Sequence, residues 1–122
     1  MKPGKLSRSI EKPSAGFSFR REGYKIYISY IEPSSIHKLD SKKEYEYIQY
    51  SYYGAIHTYE ELVNKSILLK YNIESELSLM SKAIVDPKNS EYLAYREFVD
   101  LCKNECKNIY AKLGLIKNEI DN

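Results

Sequence analysis

The sequence predicts an α+β protein: a three-stranded antiparallel β-meander followed by a long antiparallel two-helix hairpin. Three observations carry this. Apolar and polar side chains alternate with period two from Phe17 to Tyr53. From Thr58 onward the period becomes helical. Glu22-Gly23, Pro33 and Asp86-Pro87 punctuate the runs with turn and breaker residues. The 122 residues are 43% hydrophobic and 30% charged, which suits one globular domain and excludes a wholly disordered chain. Residues 1–14 are expected as a flexible basic arm and 15–122 as a single domain, with the meander over 15–54 and the helical hairpin over 58–120.

The arm contains Pro3, Gly4 and Pro13, and its only large apolar residues are Leu6 and Ile10. Lys5, Arg8 and Lys12, with Arg21 just beyond, give this end its charge. Lys2, Lys5, Arg8, Lys12, Arg20, Arg21 and Lys25 against Glu11 and Glu22 make a net +5, whereas the whole chain carries +2. Such a segment attracts polyanions or an acidic protein surface.

Phe17 and Phe19 share one face of the first strand, and Gly23 suits the tight turn that follows. Residues 24–31 are β-branched and aromatic in alternation. Pro33 ends that strand, and 32–43 form a polar connection. A third strand runs from Glu44 to Tyr53 and ends at Gly54. The alternation puts Phe17, Phe19, Ile26, Ile28, Ile48 and Tyr50 on a buried face. Ser18, Arg20, Lys25, Tyr27, Ser29, Tyr45, Tyr47, Gln49, Ser51 and Tyr53 take the other face, and a slip of one residue would invert any strand.

Thr58 and Glu61 have the spacing of a capping box at the start of the first helix. Its stripe is Leu62, Ser66, Leu69, Ile73, Leu77, Met80 and Ile84, at steps of three and four, which predicts one continuous helix over 58–85. Ser90 or Asn89 caps the second helix. Its stripe runs Tyr95, Phe98, Cys102, Cys106, Ile109, Leu113, Ile116 and Ile120, weakened locally at Gly114 by about 1 kcal/mol. Helices this long leave apolar surface for a second copy to cover as a four-helix bundle. Phe98, Ile109 and Leu113 are the expected self-association residues.

Leu69 to Ile73, followed by Glu74 to Leu77, resembles the turn of a helix-turn-helix with Asn72 in the left-handed position. That resemblance implies a recognition helix at 74–85. Ser78 and Ser81 depart from it, since apolar residues are expected there, and Leu68 departs where a small residue is.

Thirteen residues are Tyr and none is Trp, and nine of the thirteen fall between Tyr24 and Tyr59. Tyr27, Tyr45, Tyr47 and Tyr53 would project from one sheet face beside Arg20 and Lys25. Exposed aromatics among cations stack bases while the cations meet phosphates, or they form a protein-docking surface. The expectation is a small non-enzymatic binding protein, a regulator or inhibitor of accessory or viral type. It docks on a macromolecule through the sheet and the basic arm, with a protein slightly favoured over a nucleic acid. One alternative is a nucleic-acid binder, using the Tyr platform on single strands or RNA, or a helix-turn-helix near 60–85. Another is an assembly protein that self-associates as a homodimer through the helices.

No catalytic residue, metal or cofactor is expected. His37 and His57 lack a nucleophile pattern. Cys102 and Cys106 fall on an apolar stripe, where a thiol acts as a small hydrophobe. Glu60/Glu61 and Glu74/Glu76 belong to the solvated face of the first helix, and Glu44 and Glu46 alternate on a strand with Tyr45 and Tyr47. No apolar run nears the roughly 20 residues of a membrane span. The first 19 residues lack the apolar core of a secretory signal. A cytoplasmic protein without membrane contact is the expectation.

Overall fold

A computed structural model of the chain describes residues 4–39 and 44–117. These fall in two compact units, one within Pro3–Ala55 and one within Ile56–Asn122. The first is an antiparallel sheet and the second is helical, so the fold is α+β. The boundary lies where period two gives way to helical period in the sequence.

Among the described residues the sheet unit has five strands rather than three: β1 (Lys5–Ser9), β2 (Gly16–Glu22), β3 (Lys25–Ile31), β4 (His37–Leu39) and β5 (Glu44–Ala55). The order is β1-β5-β3-β2, with β4 also on β5, and every pairing is antiparallel. β2, β3 and β5 are the expected meander. Gly23 makes the β2–β3 turn at φ +65°, where a Cβ would be strained. β4 continues β3 along β5 after a one-turn 3₁₀ helix at Pro33–Ser35 bulges out of line. Ser35 repairs the gap. Its hydroxyl donates to the Glu32 carbonyl at 2.7 Å and accepts from the Ile48 amide at 2.9 Å. Residues 40–43 of the expected polar connection lie outside the described residues.

The expectation of a flexible arm over 1–14 is corrected at 5–9. Lys5 pairs with Gln49 and Ser9 with Tyr45, so β1 is an edge strand of the sheet. Gly4 runs so close to β5 that a Cβ there would fall on the Ile48 and Tyr50 side chains. Backbone pairing to a long neighbour makes this strand, not burial, since Leu6 stays 58% exposed.

Among the described residues the helical unit has three helices rather than two: α1 (Tyr59–Leu68), α2 (Ile73–Val85) and α3 (Ser90–Ile109). Thr58 caps α1 by accepting from the Glu61 amide at 3.1 Å, and the Glu61 carboxylate accepts from the His57 amide. The continuous helix over 58–85 is corrected. The chain breaks after Leu68, and Asn72 starts α2 as an N-cap, accepting from the Ser75 amide at 2.8 Å. Asn72 is extended at φ −86°, not left-handed. Lys70, Tyr71 and Asn72 make the break local, because Tyr and Asn form helix poorly and Asn satisfies the orphan amides of a new one. Asn72→Ala is therefore expected to cost about 1 kcal/mol in urea unfolding. Asn72→Asp should restore it, and equal midpoints for all three proteins would refute the cap.

Asn89 caps α3, accepting from the Tyr92 amide at 3.1 Å. The expected helix to Ile120 is corrected as well, because Gly114 ends the helical path rather than weakening it. With Gly114 at φ +75°, its amide donates to the Ala111 carbonyl at 3.1 Å and the Leu115 amide to the Tyr110 carbonyl at 2.9 Å. These are the two bonds of a Schellman stop. The chain then turns back, and the Tyr59 amide donates to the Ile116 carbonyl at 2.8 Å. Residues 118–120 of the expected hairpin lie outside the described residues.

Leu62 and Ser66 of α1 and Leu69 at its C-cap are buried, as are Tyr95, Phe98, Cys102 and Cys106 of α3. Ser66 and Cys106 touch at 3.5 Å, small side chains that let the two helices approach. No helix among the described residues is long and apolar enough to cross a membrane.

Candidate docking surface on the sheet

In an antiparallel sheet, residues directly opposite each other share a face, so the register sorts every strand residue. Phe19, Ile28 and Tyr52 align in one row, and Phe17, Tyr30 and Tyr50 in the next. Ile26, Ile28 and Tyr30 on this face are buried. Arg20, Tyr27 and Tyr53 align on the opposite face, followed by a row of Ser18, Ser29 and Ser51. Beyond it lie Ile31, Gln49 and Lys5, then Tyr47 with Ser7, then Tyr45 with Ser9 and Lys38. All ten residues assigned to the polar face by alternation share that face.

The tyrosines form two groups. Tyr27 and Tyr53 sit at one end and Tyr45 and Tyr47 at the other, about 20 Å apart along β5 at 3.4 Å per residue. Between them the serine row leaves a low strip, where the Gln49 amide nitrogen donates to the Ser29 hydroxyl at 2.6 Å. Tyr53 is 49% exposed, while Tyr27, Tyr45 and Tyr47 are half-buried. The first group is braced by cations. Arg20 lies 5.2 Å from the Tyr27 ring centre, and Lys25 lies 5.4 Å from Tyr53 and 5.7 Å from Tyr24. Arg20 also pairs with Glu22 at 2.9 Å. These contacts hold long side chains flat against rings and lower the entropy left to lose on docking.

Charge is sorted between the faces. Lys5, Arg20, Lys25 and Lys38 share the tyrosine face with a single strand carboxylate, Glu22. Glu46 points to the other face, where Arg8 pairs with it at 3.2 Å, and Glu44 has the same parity. The expected basic arm is thereby divided. Lys5 joins the tyrosine face, Arg8 and Arg21 take the opposite one, and Lys12 is exposed in the β1–β2 connection.

Comparison with protein-family models, with curated proteins and with solved structures finds no match. The surface is therefore read from its chemistry alone.

The other sequence-predicted residues stand elsewhere. Phe98 and Leu113 are buried and Ile109 is half-buried within the helical unit, so the stripe expected to meet a second copy faces inward. The exposed stripe, which alternation and periodicity both missed, lies on α2. Cys102 and Cys106 are buried. Burial and the neighbouring Cys106 push the Cys102 thiol up, and burial outweighs the Ser66 contact to push Cys106 up to about 11. Protonated, buried thiols are packing groups rather than nucleophiles. His37 stands in β4 and His57 ahead of α1. A cleft of about 360 Å³ in the helical unit, lined by Tyr71, Glu74, Ser75, Ser78 and Glu91, brings together two carboxylates and two serine hydroxyls.

Proposed function

We propose that this protein is a non-enzymatic binding protein that docks the tyrosine face of its sheet onto an acidic surface of a partner protein. One observation carries this: among the described strand residues, a single face combines four tyrosines, five serines, a glutamine and four cations against one carboxylate. Tyrosine supplies large, rigid contact area with few torsions to fix, serine supplies adaptable hydrogen bonds, and Arg and Tyr dominate binding hot spots. The cations favour an acidic partner and speed encounter with it. A regulator or inhibitor needs no more machinery than such a face. Two reduced, buried thiols suit the cytoplasm.

Affinity capture with wild type and Tyr27→Ala/Tyr53→Ala, each with and without nuclease, tests this. A protein retained by wild type after nuclease treatment and lost by the double variant is the expected result. Each ring should be worth about 1–3 kcal/mol, since truncated hot-spot residues cost that much or more. Equal retention by both proteins would reject the tyrosine face.

A second reading has its own observation. Because Glu44 and Glu46 leave the tyrosine face, only Glu22 among the described strand residues opposes a phosphate backbone there, and single-stranded nucleic acid could lie along β5 with bases on the rings. In that case capture is nuclease-sensitive. Four phosphate contacts would then give a slope of log affinity on log salt of about −3. The helix-turn-helix alternative gains less support. α2 carries Glu74 and Glu76 in its first turn and no cation before Lys82, whereas the N-terminal residues of a recognition helix must meet DNA.

A further inference from the structure

Periodicity placed Ile73, Leu77, Met80 and Ile84 in a buried stripe. They are instead 67%, 60%, 49% and 86% exposed, with Val85 beside them at 87%. The break at residues 69–72 is the cause. With Asn72 extended at its start, α2 does not continue the phase of α1, and Leu79, not the stripe, is the buried side chain of α2. The polar neighbours of that buried side are engaged within the unit. The Tyr95 hydroxyl donates to Glu76 at 2.7 Å, and Lys82 pairs with Glu91 at 3.0 Å. What remains outward is an aliphatic face with no charge in it, and a patch of this kind on a water-exposed helix marks a docking surface.

We propose that a second copy of this chain covers it, with the two α2 helices antiparallel across a two-fold axis between Leu77 and Met80. Spacing, charge and area support that occupant. Steps of four, three and four form a short coiled-coil seam. Turned end for end, it sets Leu77 of one copy against Met80 of the other, and Ile73 against Ile84, so each apolar side chain meets an apolar partner. A parallel pair would bring Glu74 and Glu76 against their own copies. The antiparallel pair sets them beside Ser81, Lys82 and Ala83, where no like charge stands. The four seam side chains expose on the order of 500 Å² per copy, so the pair covers about 1,000 Å², the least that a specific interface clears. A lipid surface fits less well, because an interfacial helix needs cations beside its apolar face and α2 offers one Lys against two Glu.

Sedimentation of the full chain over a concentration series tests the proposal. Wild type should approach twice 14.3 kDa. Leu77→Asp and Met80→Asp should each weaken association by about a hundredfold, since each buries an unpaired carboxylate near the axis. Their circular dichroism should be unchanged, because both positions are exposed in the single chain. Ser78→Asp, off the stripe, should leave the dimer intact. Orientation has its own readout: Ile73→Cys and Ile84→Cys should cross-link when mixed and not separately. A monomeric wild type, a dimer indifferent to Leu77→Asp, or cross-linking of Ile73→Cys alone would each overturn the proposal. All of these outcomes are independent of the tyrosine face, which Tyr27→Ala/Tyr53→Ala probes separately.

Discussion

Ile28→Ala is expected to lower the unfolding free energy by about 3–4 kcal/mol, the upper range for a fully buried aliphatic side chain cut to a methyl group. Ile28 is 0% exposed and sits in register between Phe19 and Tyr52, so the lost methyl and methylene groups leave a void that neither aromatic ring can fill without leaving its rotamer. Against a total stability of about 5–15 kcal/mol for an ordinary domain, this is a large fraction. Tyr27 supplies the control. It is the preceding residue on the same strand, but its side chain lies on the opposite, half-exposed face, and Tyr27→Ala should cost about 1 kcal/mol. Urea midpoints at constant slope would measure both. If Tyr27→Ala proved the costlier change, the faces would be inverted and the docking surface would fall with them.

That inversion test touches what the residues made legible. Phase along β2, β3 and β5 was readable because each strand alternates sharply: Ile26 and Ile28 are flanked by Lys25, Tyr27 and Ser29. Gly23 and Pro33 marked the strand ends for reasons of φ alone. β1 and β4 were not readable. Leu6 is the lone apolar residue of β1, and β4 has three residues, so neither carries a period. Both exist because β5, at 12 residues, offers more backbone than β3 can pair. That fact is spread across some 40 residues of chain. The helical half failed differently. Leu62, Ser66, Leu69, Ile73, Leu77, Met80 and Ile84 form an unbroken stripe on paper, and that pattern outweighs the weak helix formers Tyr71 and Asn72. Asn72 three residues before Ser75 was the local cap signal, and it pointed to the break. Within the periodic pattern Gly114 counts only as a cost to a helix, although its freedom at positive φ is what a helix stop requires. The tyrosine face followed directly from strand phase. The α2 face could not, because exposure there depends on where the broken helix packs.

The stability of this protein should fall between about pH 9 and pH 11, and Cys102 and Cys106 should account for much of the fall. Both thiols are 0% exposed. Burial raises both above their ordinary 9.0, with Cys106 reaching about 11 although its contact with Ser66 pulls the other way. In the unfolded chain the same thiols titrate near 9.0. Below that value both states keep their protons and the thiols leave stability flat. Above it the unfolded chain releases protons that the folded chain retains, so fewer protons are bound unfolded than folded and the unfolding free energy drops with pH. One unit of difference is worth about 1.4 kcal/mol, so Cys106 alone removes about 3 kcal/mol by the time it ionises in place. Cys102 adds to this. Tyr95, raised by burial and then by its hydrogen bond to Glu76, extends the loss above its own ordinary 10.0. Cys102→Ala/Cys106→Ala should start less stable at neutral pH, since each change removes buried volume. Its stability should then decline less steeply, so the two curves converge toward pH 11. Urea midpoints of both proteins at intervals across that range would show it. Parallel curves would mean that the folded chain ionises its thiols as readily as the unfolded one. The packing of α3 against Ser66 would then be open to water, and the reading of these cysteines as core rather than chemistry would be lost.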